Sequence, residues 1–132
     1  MKVVLDTNVL VAGILNPKGT PAAILNLVLN EEIVICYDDR MISEYRNVLK
    51  RDKFGLDHDS VDILIQYLEE TGERIDAKPL AVVFTDPDDI MFYEVLISSE
   101  ADYLVTGNTK HFSHIKDNKI TTPSEFMAEY HC

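Results

Sequence analysis

The amino-acid sequence predicts an α/β fold, a three-layer, Rossmann-like α/β/α sandwich around a central parallel sheet. Short β-rich runs alternate with helical patterns, as βαβ units require. The helical segments carry capping residues at their ends. No Pro/Gly/Ser-rich linker divides the 132 residues, which therefore read as a single domain over 1–132.

The strand candidates are "KVVLD" (2–6), "IVICY" (33–37), "AVVF" (81–84), "DYLVT" (102–106) and a weaker "KITT" (119–122). Thr20 with Pro21 opens the helix "PAAILNLVLN", and Asp38 or Asp39 opens "RMISEYRNVLKR". Asp59 or Ser60 opens "VDILIQYLEETG", which Gly72 closes. "DPDDIMFYEVLISS" places Asp86 at the N-cap and Pro87 at the first helical position, and "TPSEFMAEYH" repeats the capping pattern. The longest irregular stretch, about residues 72–80, is the length of an ordinary connection. "PAAILNLVLN" is apolar around much of its circumference, which predicts burial or an oligomer contact.

Composition narrows the function. The 46% apolar share is that of a globular protein, and no stretch approaches the ~20 apolar residues that span a bilayer. Asp6 interrupts the first apolar run before a signal-peptide core can form, so no membrane association is expected. Cys36 reads as a small core residue and Cys132 is the last residue, a usage that points to a reducing cytoplasm. A formal net charge of −11 opposes non-specific binding to polyanions. A nucleic-acid role therefore needs local basic patches or metal ions. Arg46, Lys50, Arg51 and Lys53 form one such concentration, and Lys110, His111, His114, Lys116 and Lys119 another; each equally fits a solvated helix end or loop.

In open parallel sheets the carboxyl ends of the strands face the functional crevice. Asp6 ends the first strand, Asp86 to Asp89 follow the third and Asn108 follows the fourth, so all collect on one edge. Glu44 joins them from a helix. At about 100° per residue, Met41, Ile42, Tyr45, Val48 and Leu49 form an apolar stripe, and Glu44 lies at its margin, about 60° from Met41.

Each residue also has an ordinary structural role. Asp6 suits the cap of a short helix, and Asp86, Asp88 and Asp89 suit a cap and first turn. Glu44 could pair with Arg40 or Arg51, and Asn108 could be a turn residue. Convergence favours function, because clustered carboxylates repel unless neutralised. Oxygen-rich clusters bind Mg²⁺ or Mn²⁺, ions suited to phosphodiester hydrolysis. The histidines and cysteines lack zinc-ligand spacing, no serine has a G-x-S-x-G setting, and no nucleotide-binding glycine loop is present.

"VVLDTNVLVAGIL", "SEYRNVL" and "DPDDIMFYEVLISSEADYLVTGNTKHF", in this order and spacing, resemble the PIN-domain (PilT N-terminus) family. More narrowly, they are similar to the toxin components of prokaryotic toxin-antitoxin systems. The resemblance implies an α/β/α domain with metal-dependent ribonuclease activity on single-stranded or exposed RNA. By position it makes Asp6, Glu44 and Asp89 the catalytic and metal-binding carboxylates, with Mg²⁺ or Mn²⁺ as cofactor. Asn8 would orient Asp6 or bound water, and Thr106 would support the site. The family pattern has a further aspartate where this chain has Asn108, whose neutral carbonyl leaves a second metal open; Asp86 is a candidate to compensate. The resemblance also implies a homodimer and a cognate antitoxin partner.

Two other readings compete. A degenerate PIN domain would serve as a protein- or RNA-binding module, for which Asn108 speaks. A haloacid-dehalogenase-type phosphatase would use Asp6 as nucleophile, but Asn8 stands where that family expects a second aspartate.

Overall fold

Val3, Val4 and Leu5 are almost completely buried, as a strand covered on both faces must be, and β1 (Lys2–Leu5) lies at the centre of the sheet. The computed structural model describes residues 1–81 and 89–130. Among these residues the sheet has five strands in the order β3-β2-β1-β4-β5. They are β2 (Val34–Tyr37), β3 (Glu73–Arg74), β4 (Tyr103–Val105) and β5 (Ile120–Thr121) around β1, and every pairing is parallel. Val3 registers with Ile35 on one side, and Leu5 with Val105 on the other.

This order has a functional corollary. The chain leaves β1 towards β2 and β3, then returns to β4 on the opposite side, so a topological switch point lies between the carboxyl ends of β1 and β4.

The helices are α1 (Thr7–Leu15), α2 (Thr20–Leu29), α3 (Asp39–Leu49), α4 (His58–Thr71), α5 (Ile90–Ser98) and α6 (Pro123–Tyr130). Short 3₁₀ turns cover Asp52–Phe54 and Thr109–Phe112. Together they give the three-layer α/β arrangement that the sequence predicts. Asp38 caps α3 by accepting from the Met41 N–H at 3.0 Å. Thr122 and Glu125 form a reciprocal capping box before α6, at 3.1 and 3.2 Å. Ala22, Ile24, Leu25 and Val28 of α2 are buried while Leu29 at its end is exposed, and the helix packs against α1 and α6.

Several expectations shift. The cap of α4 is Asp57, whose carboxylate accepts from the Ser60 N–H at 3.0 Å, rather than Asp59 or Ser60. Within the presumed connection at 72–80, Glu73 and Arg74 add a parallel edge strand to β2. Gly72 does close α4, but not through a left-handed conformation; its φ is −86°. A Cβ there would stand 2.6 Å from the Leu68 carbonyl oxygen and 2.7 Å from that of Ile35, so only glycine permits the approach to β2. The predicted strand at 81–84, the Asp86 cap and Cys132 lie outside the described residues.

On α3 the stripe of Met41, Ile42, Tyr45 and Leu49 is buried in the core. Tyr45 is fully buried, and its hydroxyl donates to the Leu5 carbonyl, tying α3 to the residue before Asp6. Tyr45→Phe should therefore cost about 1–2 kcal/mol of stability with the fold intact, read as a lowered urea midpoint at unchanged m-value.

Candidate active site

Asp6 stands immediately after β1 at the switch point. Its N–H extends the parallel ladder to the Val105 carbonyl at 3.0 Å, and its own carbonyl accepts from the Val9 N–H at 3.0 Å to begin α1. Its backbone thus opens the helix, but its carboxylate forms no cap hydrogen bond. Instead Oδ2 accepts from the Thr106 hydroxyl at 2.7 Å.

Thr106 is fully buried just beyond β4, and its Oγ1 also accepts from the Asn108 N–H at 3.1 Å. The two strand ends are thereby joined through side chains where the sheet pairing stops. Asp6 is only 4% exposed. Burial raises its carboxyl pKa above the ordinary value, opposed by the Thr106 hydroxyl and the nearby backbone N–H groups of Asn8 and Thr7.

A cleft of about 180 Å³ opens here, lined by Asp6, Thr7, Asn8, Glu44, Val48, Arg51, Asp89, Phe92 and His111. Glu44 reaches it from the margin of the α3 stripe and accepts a hydrogen bond from the Thr7 hydroxyl. Asp89 enters from the N-cap of α5, is 8% exposed, and has its Oδ2 3.1 Å from His111 Nδ1. Asn8 is exposed at the rim. The three carboxylates that the sequence proposes, and Asn8, share one cleft.

Asn108 is placed differently. It opens the 3₁₀ turn that carries His111 and is not among the cleft-lining residues; its contribution is the backbone bond to Thr106. Asp86 and Asp88 lie outside the described residues.

The donor chemistry of Asp6, Glu44 and Asp89 fits a hard divalent cation. Among the described residues, however, no three Asp, Glu, His or Cys side chains stand close enough to enclose an ion. As arranged, Glu44 is engaged by Thr7 and Asp89 by His111.

Sequence reasoning missed these two partners, because both pairings exist only after the chain folds. It also missed Glu94, which is 5% exposed on α5. Glu94 accepts from Arg40 at 2.8 Å and from the Leu80 N–H at 2.7 Å, while Arg40 Nε donates to Asp38 at 2.8 Å. A lone acid inside "IMFYEVLIS" was the available signal.

The family model described as PIN domain matches residues 2–110. The chain belongs to the PIN-domain family. Such domains are in general nucleases and usually use divalent metals. An uncharacterized protein of Methanocaldococcus jannaschii, MJ1680, is 28% identical over 144 aligned positions, covering 98% of this chain and 92% of the relative. Among the described residues of this PIN domain, no helix is long and apolar enough to cross a membrane.

The raised pKa of Asp6 has a stability consequence. Its folded-state value lies above the unfolded one, so its contribution to stability is fully present below the unfolded pKa and is lost as pH rises through the folded pKa. In EDTA, Asp6→Asn should accordingly be more stable than wild type at pH 7, with the difference shrinking on acidification. Urea denaturation across that pH range measures it.

Proposed function

We propose that the protein is a Mg²⁺- or Mn²⁺-dependent ribonuclease that hydrolyses RNA phosphodiester bonds to a 5′-phosphate and a 3′-hydroxyl. The supporting observation is that Asp6, Glu44 and Asp89, from β1's end, α3 and the start of α5, line one cleft at the switch point. Asp6 and Asp89 would hold the ion, with Glu44 beside them. Such an ion, when bound, neutralises a phosphate oxygen and lowers the pKa of water.

The chain's own residues set the geometry. Thr106 fixes one oxygen of Asp6, and the β1–β4 register fixes its backbone. Glu44, which accepts from the Thr7 hydroxyl, would accept a proton from the attacking water. Asn8, which lines the cleft, would orient Asp6 or that water.

The degenerate binding-module reading has one observation in its favour: no described trio of ligating side chains is close enough to enclose an ion. Calorimetric titration with Mn²⁺ separates the two, since absence of binding would favour the module.

The finer biological reading is that this ribonuclease is a cytoplasmic toxin, homodimeric and restrained by an antitoxin; it rests on the sequence resemblance alone. Growth arrest on induction, relieved by co-expression of a short neighbouring gene, would support it.

On purified protein assayed against an RNA panel with Mn²⁺, Asp6→Asn, Asp89→Asn and Glu44→Gln should each lower cleavage by at least about 100-fold, roughly 3 kcal/mol of transition-state stabilisation. Cleavage that survives both Asp6→Asn and EDTA would show the activity to be a contaminant.

A further inference from the structure

The basic cluster after the Glu44 helix is sorted by the fold. Arg46 lies 3.4 Å from Asp62 and 3.7 Å from Glu69, and Lys50 lies 2.7 Å from Asp62, so α4 neutralises both. Lys53 stands 5.1 Å over the Phe54 ring. Arg40, on α3, is held by Asp38 and Glu94. Of this cluster, Arg51 is the cation that lines the carboxylate cleft.

Among the described residues no carboxylate forms an ion pair with Arg51, which is exposed at the lip of the carboxylate cleft. It also lines a second depression of about 330 Å³ along α3, with Ser43 and Asn47. Glu44, Val48 and Arg51 line both depressions, so the two adjoin along α3. Ser43, Asn47 and Arg51 recur at four-residue intervals and follow one face of α3 past its end. Arg51 is held at its backbone: its N–H donates to the Val48 carbonyl at 3.1 Å, and its carbonyl accepts from the Phe54 N–H at 3.1 Å.

We infer that Arg51 is the phosphate anchor of a strand-binding groove, holding a backbone phosphate of single-stranded RNA beside the scissile one. Ser43 and Asn47 then hydrogen-bond the next nucleotide as the strand leaves along α3. The inference rests on the ribonuclease reading for its substrate class. A cleft floored by three carboxylates repels a phosphodiester, and a chain of net charge −11 gives no general attraction, so an uncommitted cation at the lip is what the strand requires. The planar guanidinium fork matches phosphate oxygens two at a time, which a lysine cannot reproduce. Because Asp6 and Asp89 are only 4% and 8% exposed, a strand must be drawn inwards to reach them.

The test is fluorescence anisotropy with a short labelled single-stranded RNA in EDTA, so that binding is read without cleavage. Arg51→Ala should weaken binding about tenfold and Arg51→Glu further, with the slope of log affinity against log salt reduced by about one. Arg51→Lys should restore part of the loss, Asn47→Ala should have a smaller effect, and Lys18→Ala, an exposed cation outside the groove, should bind like wild type. Unchanged urea midpoints show that the Arg51 variants are folded. Wild-type affinity in Arg51→Ala and Arg51→Glu would overturn the inference, as would an equal loss in Lys18→Ala or no RNA binding by wild type at low salt.

Cleavage assays with Mn²⁺ separate the two readings. A protein that binds through Arg51 but cleaves nothing keeps the groove and loses the ribonuclease reading. One that cleaves without regard to Arg51 loses only the groove. If both hold, Arg51→Ala raises KM far more than it lowers kcat.

Discussion

A carboxylate buried at the end of the central strand is the constraint around which this molecule is arranged. Taking Asp6 out of water is unfavourable, and the rise in its pKa records the direction of that penalty. Three features keep it in place nonetheless. The β1–β4 register fixes its backbone, Thr106 supplies a hydrogen bond, and Tyr45 anchors the Leu5 carbonyl one residue before it. The phenol of Tyr45 is itself driven far above its ordinary pKa, first by burial and then by the charges of Asp6, Glu44 and Asp38. Acidic charge concentrated in a dry region is therefore felt by neighbours that take no part in the cleft. Strain of this kind is characteristic of sites where function opposes stability.

The other buried acids are treated differently. Asp38 and Glu94 flank Arg40, whose guanidinium lies 2.7 Å from one carboxylate and 2.8 Å from the other. Both acids have side chains at most 10% exposed, whereas Arg40 is 48% exposed. The cation thus stays partly hydrated while compensating two charges that are not, an arrangement that avoids much of the desolvation cost of a fully buried pair. Its mechanical effect is to clamp α3 to α5, the helices that present Glu44 and Asp89. Glu94 also takes the Leu80 N–H, so the chain is tied down shortly before it reaches Asp89. One acid set is neutralised by the protein and positions the helices. The other lines the cleft, where Thr7 engages Glu44, His111 stands beside Asp89 and Thr106 bonds Asp6.

How much of this was legible in the sequence follows from the range of each interaction. The ends of β1 and β4 could be read because β-rich runs and their polar terminators are local, and so Asp6 and Thr106 could be assigned to one edge. The position of Glu44 followed from helical periodicity. β3 could not be read, because two polar residues, Glu73 and Arg74, carry no hydrophobic pattern; an edge strand this short is defined by its partner β2. In "LDHDS" several residues are competent caps, and the choice of Asp57 depends on where α4 docks. Thr7 with Glu44 spans 37 positions and Thr106 with Asp6 spans 100, so only the folded topology shows the first as a contact, whereas the family pattern had already pointed to the second. Asn108 shows the converse limit. Its side chain was the candidate, but its backbone makes the bond.

Net charge, too, means something different once the structure apportions it. A total of −11 describes the long-range field, which repels polyanions and suppresses indiscriminate adsorption. Local recognition depends on which cations remain uncommitted, and three of those around Glu44 are not available. Arg46 and Lys50 serve the α3–α4 contact, and Arg40 serves the α3–α5 clamp. Simple counting of Lys and Arg around Glu44 therefore overstates the attraction a strand would experience. On the proposed ribonuclease reading, Arg51 would supply local attraction at the cleft against a repulsive background. Such an enzyme would gain selectivity for strands flexible enough to be drawn past Arg51 to the buried acids, at the expense of overall affinity.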